Sequence, residues 1–158
     1  MMENQEHKLR RKDRAADEAE AETILREGVY GVLSLVDAAG EAYGVPLSYA
    51  YAAGAIHVHS AVEGHKLEGL RTGAIVSFCV VGQAEPIPEK FSMRYRSAIA
   101  RCEVHELDGE EKLASLEQLV AKYAAHLRPE GTAYIAELKG STRVFALCVL
   151  TVSGKRRK

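Results

Sequence analysis

Between Val29 and Ala61 the chain reads VYGVLSLVD, then the turn DAAGEA, then YGVPLSYAYA, then AGAIHVHSA. Three extended, β-branched runs follow one another with only small and turn-forming residues between them. Strands this closely spaced are joined by hairpins and not by the helices of βαβ units, so they predict an antiparallel meander. Pro46 within the second run cannot donate to a ladder, which places that run at a sheet edge or a bulge, with backbone groups free to face something else.

The rest of the chain adds helices around this β framework. Residues 15–27, AADEAEAETILRE, predict a leading helix that ends before Gly28. After Ser60, EGHKLEGLRTG predicts a short helix with Leu67 and Leu70 on one face. AIVSFCVVG returns to strand, QAEPIPEKFSM reads as a loop, and YRSAIARCEVHEL as a long strand. Within GEEKLASLEQLVAKYAAHL the spacing of Leu113, Leu116, Leu119, Val120 and Tyr123 predicts a helix with those residues as its core stripe. RPEG reads as a break, TAYIAELKG as a last short helix and RVFALCVLTVSG as a central closing strand. The order αβββαββαα′β predicts a mainly β, antiparallel barrel with peripheral helices. Residues 15–158 form one domain in this reading, preceded by a flexible tail over residues 1–14.

Charge and cysteine usage narrow the function. The formal net charge of -1 gives no global pull toward nucleic acid, and the basic stretches KLRRK and GKRRK read as solvated tails. No apolar run reaches the roughly 18 residues of a membrane span, and the N-terminus lacks the apolar segment of a secretory signal, so the expectation is a cytoplasmic protein. Cys79, Cys102 and Cys148 are odd in number and lie in apolar strand contexts, as reduced buried thiols do.

One stretch concentrates polar chemistry. In HVHSAVEGHKLEGLRTG, a strand ends at Ser60, and Gly64, His65 and Lys66 fall at the first turn of the expected helix. A helix N-terminus, a lysine and a hydroxyl are the parts of a phosphate site, and glycine lets backbone approach an anion closely. The same residues also serve as a plain capped helix. His57, His59 and His65 stand at no recognised metal spacing with a carboxylate or cysteine, so no metal site is expected. No nucleophile elbow, P-loop or CxxC pair is present. Asp37, Asp108 and the glutamates fall in turns and helix faces, where carboxylates are normally solvated.

Taken together, GVYGVLSLVDAAGEAYGVPLSYAYAAGAIHVHSAVEGHKLEGLRTGAIVSFCVV, YRSAIARCEVHEL and the terminal VSGK resemble the pyridoxamine phosphate oxidase-related flavin-binding proteins, and within them the nitroimidazole-resistance group. The resemblance runs from about Gly28 to Lys155, and its most specific pieces are VPLSYAY, HSAVEGHK and YRSAIA. It implies an FMN-binding split barrel of antiparallel, Greek-key-like design, forming a homodimer with flavin mononucleotide (FMN) at the subunit interface. Carried onto this chain, it implies His59, Ser60, Gly64, His65 and Lys66 around the phosphate and ribityl chain. Val45, Pro46, Leu47 and Ser48 would lie beside the isoalloxazine ring, largely through backbone groups, and Arg96, Ser97 and Lys155 would approach the flavin near the interface.

The resemblance stops short of the oxidase itself. The chain ends at SGKRRK, with no basic-aromatic element of the kind that completes the vitamin phosphate site in true pyridoxamine phosphate oxidases. The expectation is a flavin-dependent oxidoreductase that reduces a small acceptor such as a nitro compound, with flavin adenine dinucleotide (FAD) as the alternative cofactor. The alternative function is a non-catalytic module that stores or senses flavin, or that holds haem. No residue can be named as the catalytic acid from sequence; His65 is the candidate, and it serves equally as a phosphate ligand.

Overall fold

The computed structural model describes residues 8–158; the first seven residues of the expected tail lie outside that range. Residues 12–14 of the tail form a 3-10 turn in which the Arg11 guanidinium grips both carboxylate oxygens of Asp13. The elements then run β1 (Ala15–Ala16), α1 (Glu18–Glu27), β2 (Gly31–Val36), β3 (Ala42–Leu47), β4 (Ala50–Ala52), β5 (Ala55–Ala61), β6 (Ile75–Ile87), β7 (Ser92–Leu107), α2 (Gly109–Tyr123), α3 (Arg128–Leu138) and β8 (Thr142–Arg157). The expected antiparallel barrel with peripheral helices is present. Eight strands pair antiparallel in the order β3-β2-β6-β7-β8-β5-β4, with β1 on the far end of β8.

The expected three-strand meander is replaced by two hairpins at opposite edges of the sheet. β3 pairs with β2 and β4 pairs with β5, and no pairing joins β3 to β4. The chain turns a corner at Ser48 and Tyr49 because Tyr49 is drawn fully into the interior, where its hydroxyl donates to the Leu25 carbonyl at 2.5 Å. The barrel is therefore split along the β3–β4 seam. Pro46 sits opposite Val32 on edge strand β3, where a missing N–H costs no ladder bond.

Side-chain alternation builds the interior from rows that cross the sheet. Leu33 lies opposite Val45 and Phe78, and Phe78 lies opposite Ala100. Leu33, Phe78 and Ala100 are fully buried, and α1 adds Ala21, Ile24 and Leu25 to the same core. Gly31 belongs to this tight layer, since a Cβ there would stand 2.1 Å from the Phe78 ring. The first half of β8 is buried on both faces: Phe145 and Leu147 face this core, while Val144 faces Leu116, Leu119 and Ile135 of α2 and α3. That double burial bears out the reading of β8 as a central strand.

Three other expectations are corrected. QAEPIPEKFSM is not a loop, because pairing of β6 with β7 continues from Gln83 with Arg96 to Ile87 with Ser92, and a 3-10 turn at Pro88–Lys90 closes the hairpin. RPEG does not break the helical region; Pro129 fits the first turn of α3, where its absent N–H is not missed. Tyr123 leaves the α2 core stripe: it is 40% exposed, accepts from the Tyr49 N–H at 3.0 Å and donates to the Val29 carbonyl at 2.6 Å. The cysteines are free thiols, with Cys102 buried and Cys79 and Cys148 half-buried. Burial pushes the Cys102 thiol up to about 12, which leaves it inert as a nucleophile.

Candidate functional site

The seam between the two sheet edges is bridged by the loop that follows β5. In place of the expected helix this loop holds a four-residue 3-10 turn, His65–Glu68, so no helix macrodipole acts at its start. What fixes the loop is the β2–β3 turn. His65 Nε2 lies 2.9 Å from Asp37 Oδ2, its ring packs on Tyr43 with centroids 4.0 Å apart, and the Glu68 carboxylate accepts the Ala38 N–H at 3.0 Å. Leu70 is buried and Leu67 packs against the main core. Asp37 is thus not a solvated turn carboxylate. It accepts the N–H groups of Ala39 and Glu41, and the Glu41 N–H first, then His65, hold its carboxyl below the usual range.

Within this frame the expected phosphate residues divide. Ser60 points to the barrel interior, is 3% exposed, and its hydroxyl has no hydrogen-bond partner. A buried unpaired hydroxyl costs free energy until a partner reaches it. His59 points to the opposite face of β5, and only a group at the strand end can meet both. Partial burial of its ring first, and the nearby Lys66 ammonium second, push the His59 pKa down, although the residue as a whole is exposed. Among the described residues Lys66 forms no ion pair. Gly64 has φ 142° and ψ 155°, a conformation essentially confined to glycine, and the space where its Cβ would project is open. The glycine is required for its backbone angles, and the open space beside it leaves the approach clear. His65 is a different matter, because Nε2, the atom that would meet a phosphate or a substrate proton, is already committed to Asp37.

The VPLS residues alternate between the two faces of the edge strand. Val45 and Leu47 turn inward and pack on the main core, while Pro46 and Ser48 face outward. The corner after Ser48 is held rigid by Tyr49, over whose ring the Lys122 ammonium sits at 3.7 Å. That ammonium is buried without a hydrogen-bond partner, and desolvation lowers its pKa to about 8.

Arg96, Ser97 and Lys155 do not join the loop residues within one protomer. Ser97 lies opposite Lys155 on β7 and β8, whereas Ser60 lies opposite Arg143 at the other end of β8. Twelve residues of strand separate those two positions on β8, roughly 40 Å of contour. Arg96 turns toward α1, 3.6 Å from Glu27.

Sequence reasoning missed Asp37, Tyr43 and Glu68 as the anchors of the loop. Asp37, His65 and Glu68 also bring one potential metal-ligand atom each to within 4.8 Å of one another. No spacing rule flags this group, since Asp37 arrives from a turn 28 residues away in sequence. Each member already serves the hydrogen bonds that pin the loop.

A family model described as pyridoxamine 5'-phosphate oxidase matches residues 17–156. The chain belongs to the pyridoxamine 5'-phosphate oxidase-related family. A search of curated proteins finds no match. Among solved structures, a 5-nitroimidazole antibiotic resistance protein of Bacteroides thetaiotaomicron, so described as putative, superposes with a TM-score of 0.74 at 23% identity, over 89% of this chain and 85% of that one. The FAD and haem binding protein of Mycobacterium smegmatis gives a TM-score of 0.79 at 18% identity, over 92% and 74%. An FAD-binding protein of Mesorhizobium loti gives 0.63 at 22% identity, over 92% and 98%. At these identities the likeness establishes the split-barrel fold that the family shares. Among the described residues no helix is long and apolar enough to cross a membrane.

Proposed function

We propose that this family member binds a flavin whose phosphate is held where β5 gives way to the 61–68 loop, and that it uses the flavin to reduce a small acceptor. Two observations support the reading: an orphaned buried hydroxyl, Ser60 Oγ, near the end of β5, and on the following loop an ammonium, Lys66, that forms no ion pair among the described residues. A phosphate dianion needs charge-assisted donors in a preformed setting. Gly64 keeps the approach open, and the ties of His65 and Glu68 to the β2–β3 turn hold the loop in place before any ligand arrives. A flavin would supply the electron transfer; the chain's own part is to orient it along the β3 edge and bind its anionic end. FMN satisfies this site with one phosphate. FAD carries the same group, and the named binding properties of the Mycobacterium smegmatis and Mesorhizobium loti proteins keep it as the second cofactor reading.

The outer face of the sheet supports a homodimer. Pro46, Val32, Cys79 and Ile99 form one cross-strand row over four strands, flanked by Val36, Ile75 and Val81, and Ile99 and Val81 are more than half exposed. A contiguous apolar face of this kind marks an interface. A second copy covering it would supply the Arg96, Ser97 and Lys155 group that one protomer cannot bring to its own loop.

The visible spectrum of the purified protein tests the cofactor. Flavin bands, with FMN released on denaturation, are the expected result, and light scattering is expected to give a dimer. A Soret band without flavin would favour the haem-module reading. A colourless protein that refuses added flavin would remove the phosphate site altogether. Bleaching by a reduced nicotinamide and re-oxidation by a nitro compound would separate enzyme from carrier.

A further inference from the structure

The far end of β8 holds a second concentration of charge. GKRRK is not a solvated tail, since β8 extends through Arg157 and pairs with β7 as far as Tyr95. Two adjoining cavities, of about 480 and 380 Å³, share Arg156, Arg157 and Lys158 as walls. Arg11 and Arg14 enter from the N-terminal segment and Arg94 and Arg96 from β7, and among the described residues the side-chain carboxylates in the walls are those of Asp13 and Glu20. Arg96 stands directly opposite Arg156 across the ladder, a like-charge pair that is destabilising unless compensated.

The compensation is partial. Glu20 lies 2.9 Å from Arg156, Glu27 3.6 Å from Arg96, Glu85 2.8 Å from Arg94, and Asp13 is held by Arg11. The Arg11 hydrogen bond keeps the Asp13 carboxyl at about 2, so this acid stays charged and committed to its partner. Arg14 is left 4.0 Å from that same occupied carboxylate, and Arg157 and Lys158 have no ion-pair partner among the described residues. Three cations with no carboxylate of their own thus face cavities large enough for a small ligand.

We propose that this cleft binds a small polyanion carrying two or more linked phosphate groups, held by Arg14, Arg157 and Lys158, while the paired arginines line the walls. Guanidinium forks suit bidentate binding of phosphate oxygens. The carboxylates at the rim and the net charge of -1 disfavour a continuous nucleic-acid backbone, which needs an uninterrupted basic track. The cleft lies about 40 Å of strand from Ser60, so it is a second anion site of the protomer.

Isothermal titration with inorganic tripolyphosphate, ATP, FMN and FAD, on wild type and on Arg14→Gln/Arg157→Gln, tests this. Saturable 1:1 binding of tripolyphosphate, weakened at least tenfold in the double variant with FMN affinity unchanged, is the expected result. If ATP behaves likewise, the ligand is a free polyphosphate or nucleotide; if only FAD among the nucleotides is weakened by the variant, the cleft is part of the flavin site and the proposal of a second anion site is overturned. Failure of tripolyphosphate to bind, or an equal loss in the control Arg128→Gln/Lys139→Gln, would overturn the proposal, as would tighter binding of single-stranded DNA than of tripolyphosphate. Lys66→Ala separates the two sites, because it is expected to weaken FMN and leave tripolyphosphate unchanged.

Discussion

The two ends of β8 lie beside two kinds of polar site. Near Arg143 the polar equipment is sparse: the unpaired Ser60 hydroxyl and the His59 imidazole on β5, and on the following loop, pinned by His65 and Asp37, the Lys66 ammonium, without an ion pair among the described residues. Near Arg156 charge is abundant, yet most of it is spent on Asp13, Glu20, Glu27 and Glu85. The contrast teaches that the number of charges does not measure a binding site. What counts is the donor that the fold has desolvated or positioned and left without a partner, because only that donor gains when a ligand arrives.

Lys66→Ala puts the largest strain on this comparison. It is expected to weaken flavin binding by roughly 1–3 kcal/mol, about five- to 150-fold, in a fluorescence titration. Unchanged affinity would move the phosphate away from the loop. Lys122→Met sharpens the contrast from a third position, since the Lys122 ammonium is buried and unpartnered but faces the Tyr49 ring and not a ligand groove. Its folded pKa of about 8 lies below the unfolded value near 10.4, so the unfolded chain binds more protons between those limits. Stability is therefore expected to rise with pH across that window, and Lys122→Met is expected to abolish the rise while raising the midpoint at pH 7 by about 2–4 °C, the effect of about 1 kcal/mol in a domain of this size. Retention of the rise in the variant would assign it to another group.

Ser60→Ala carries a change of sign. Without flavin it is expected to stabilise the protein by about 1 kcal/mol, because an unsatisfied buried hydroxyl is removed; with flavin it is expected to reduce the stabilisation that the ligand confers. Denaturant melts with and without FMN read both. Arg94→Gln, at the other end, is expected to leave the melting midpoint unchanged, since its partnership with Glu85 is solvent-exposed. A clear loss there would show that the ion pairs of the cleft hold the fold together and do not merely neutralise one another.

Much of the fold was legible because alternation and turn chemistry act locally. Pro46 marked an edge strand, the apolar run at 144–149 marked a central one, and the leucines of α2 marked its buried stripe. The errors arose where tertiary contacts overrode local pattern. EGHKLEGLRTG has helix-forming residues, yet its ties to Asp37 and Ala38 hold it in a single 3-10 turn. The strand after Pro46 broke at Ser48 because one tyrosine found a carbonyl on α1. At the site, Lys66 and Ser60 were legible as residue types, but whether a hydroxyl lacks a partner or a histidine is already engaged is a property of distant neighbours. Asp37 looked like a turn residue for the same reason.

The decisive measurement is the affinity of the apo-protein for FMN and for riboflavin, which lacks the phosphate, in wild type and in Lys66→Ala. FMN is expected to bind more tightly than riboflavin to wild type, and the preference is expected to shrink sharply in the variant while riboflavin affinity stays level. Equal affinities for the two ligands in wild type would show that the loop between Ser60 and Glu68 holds no phosphate.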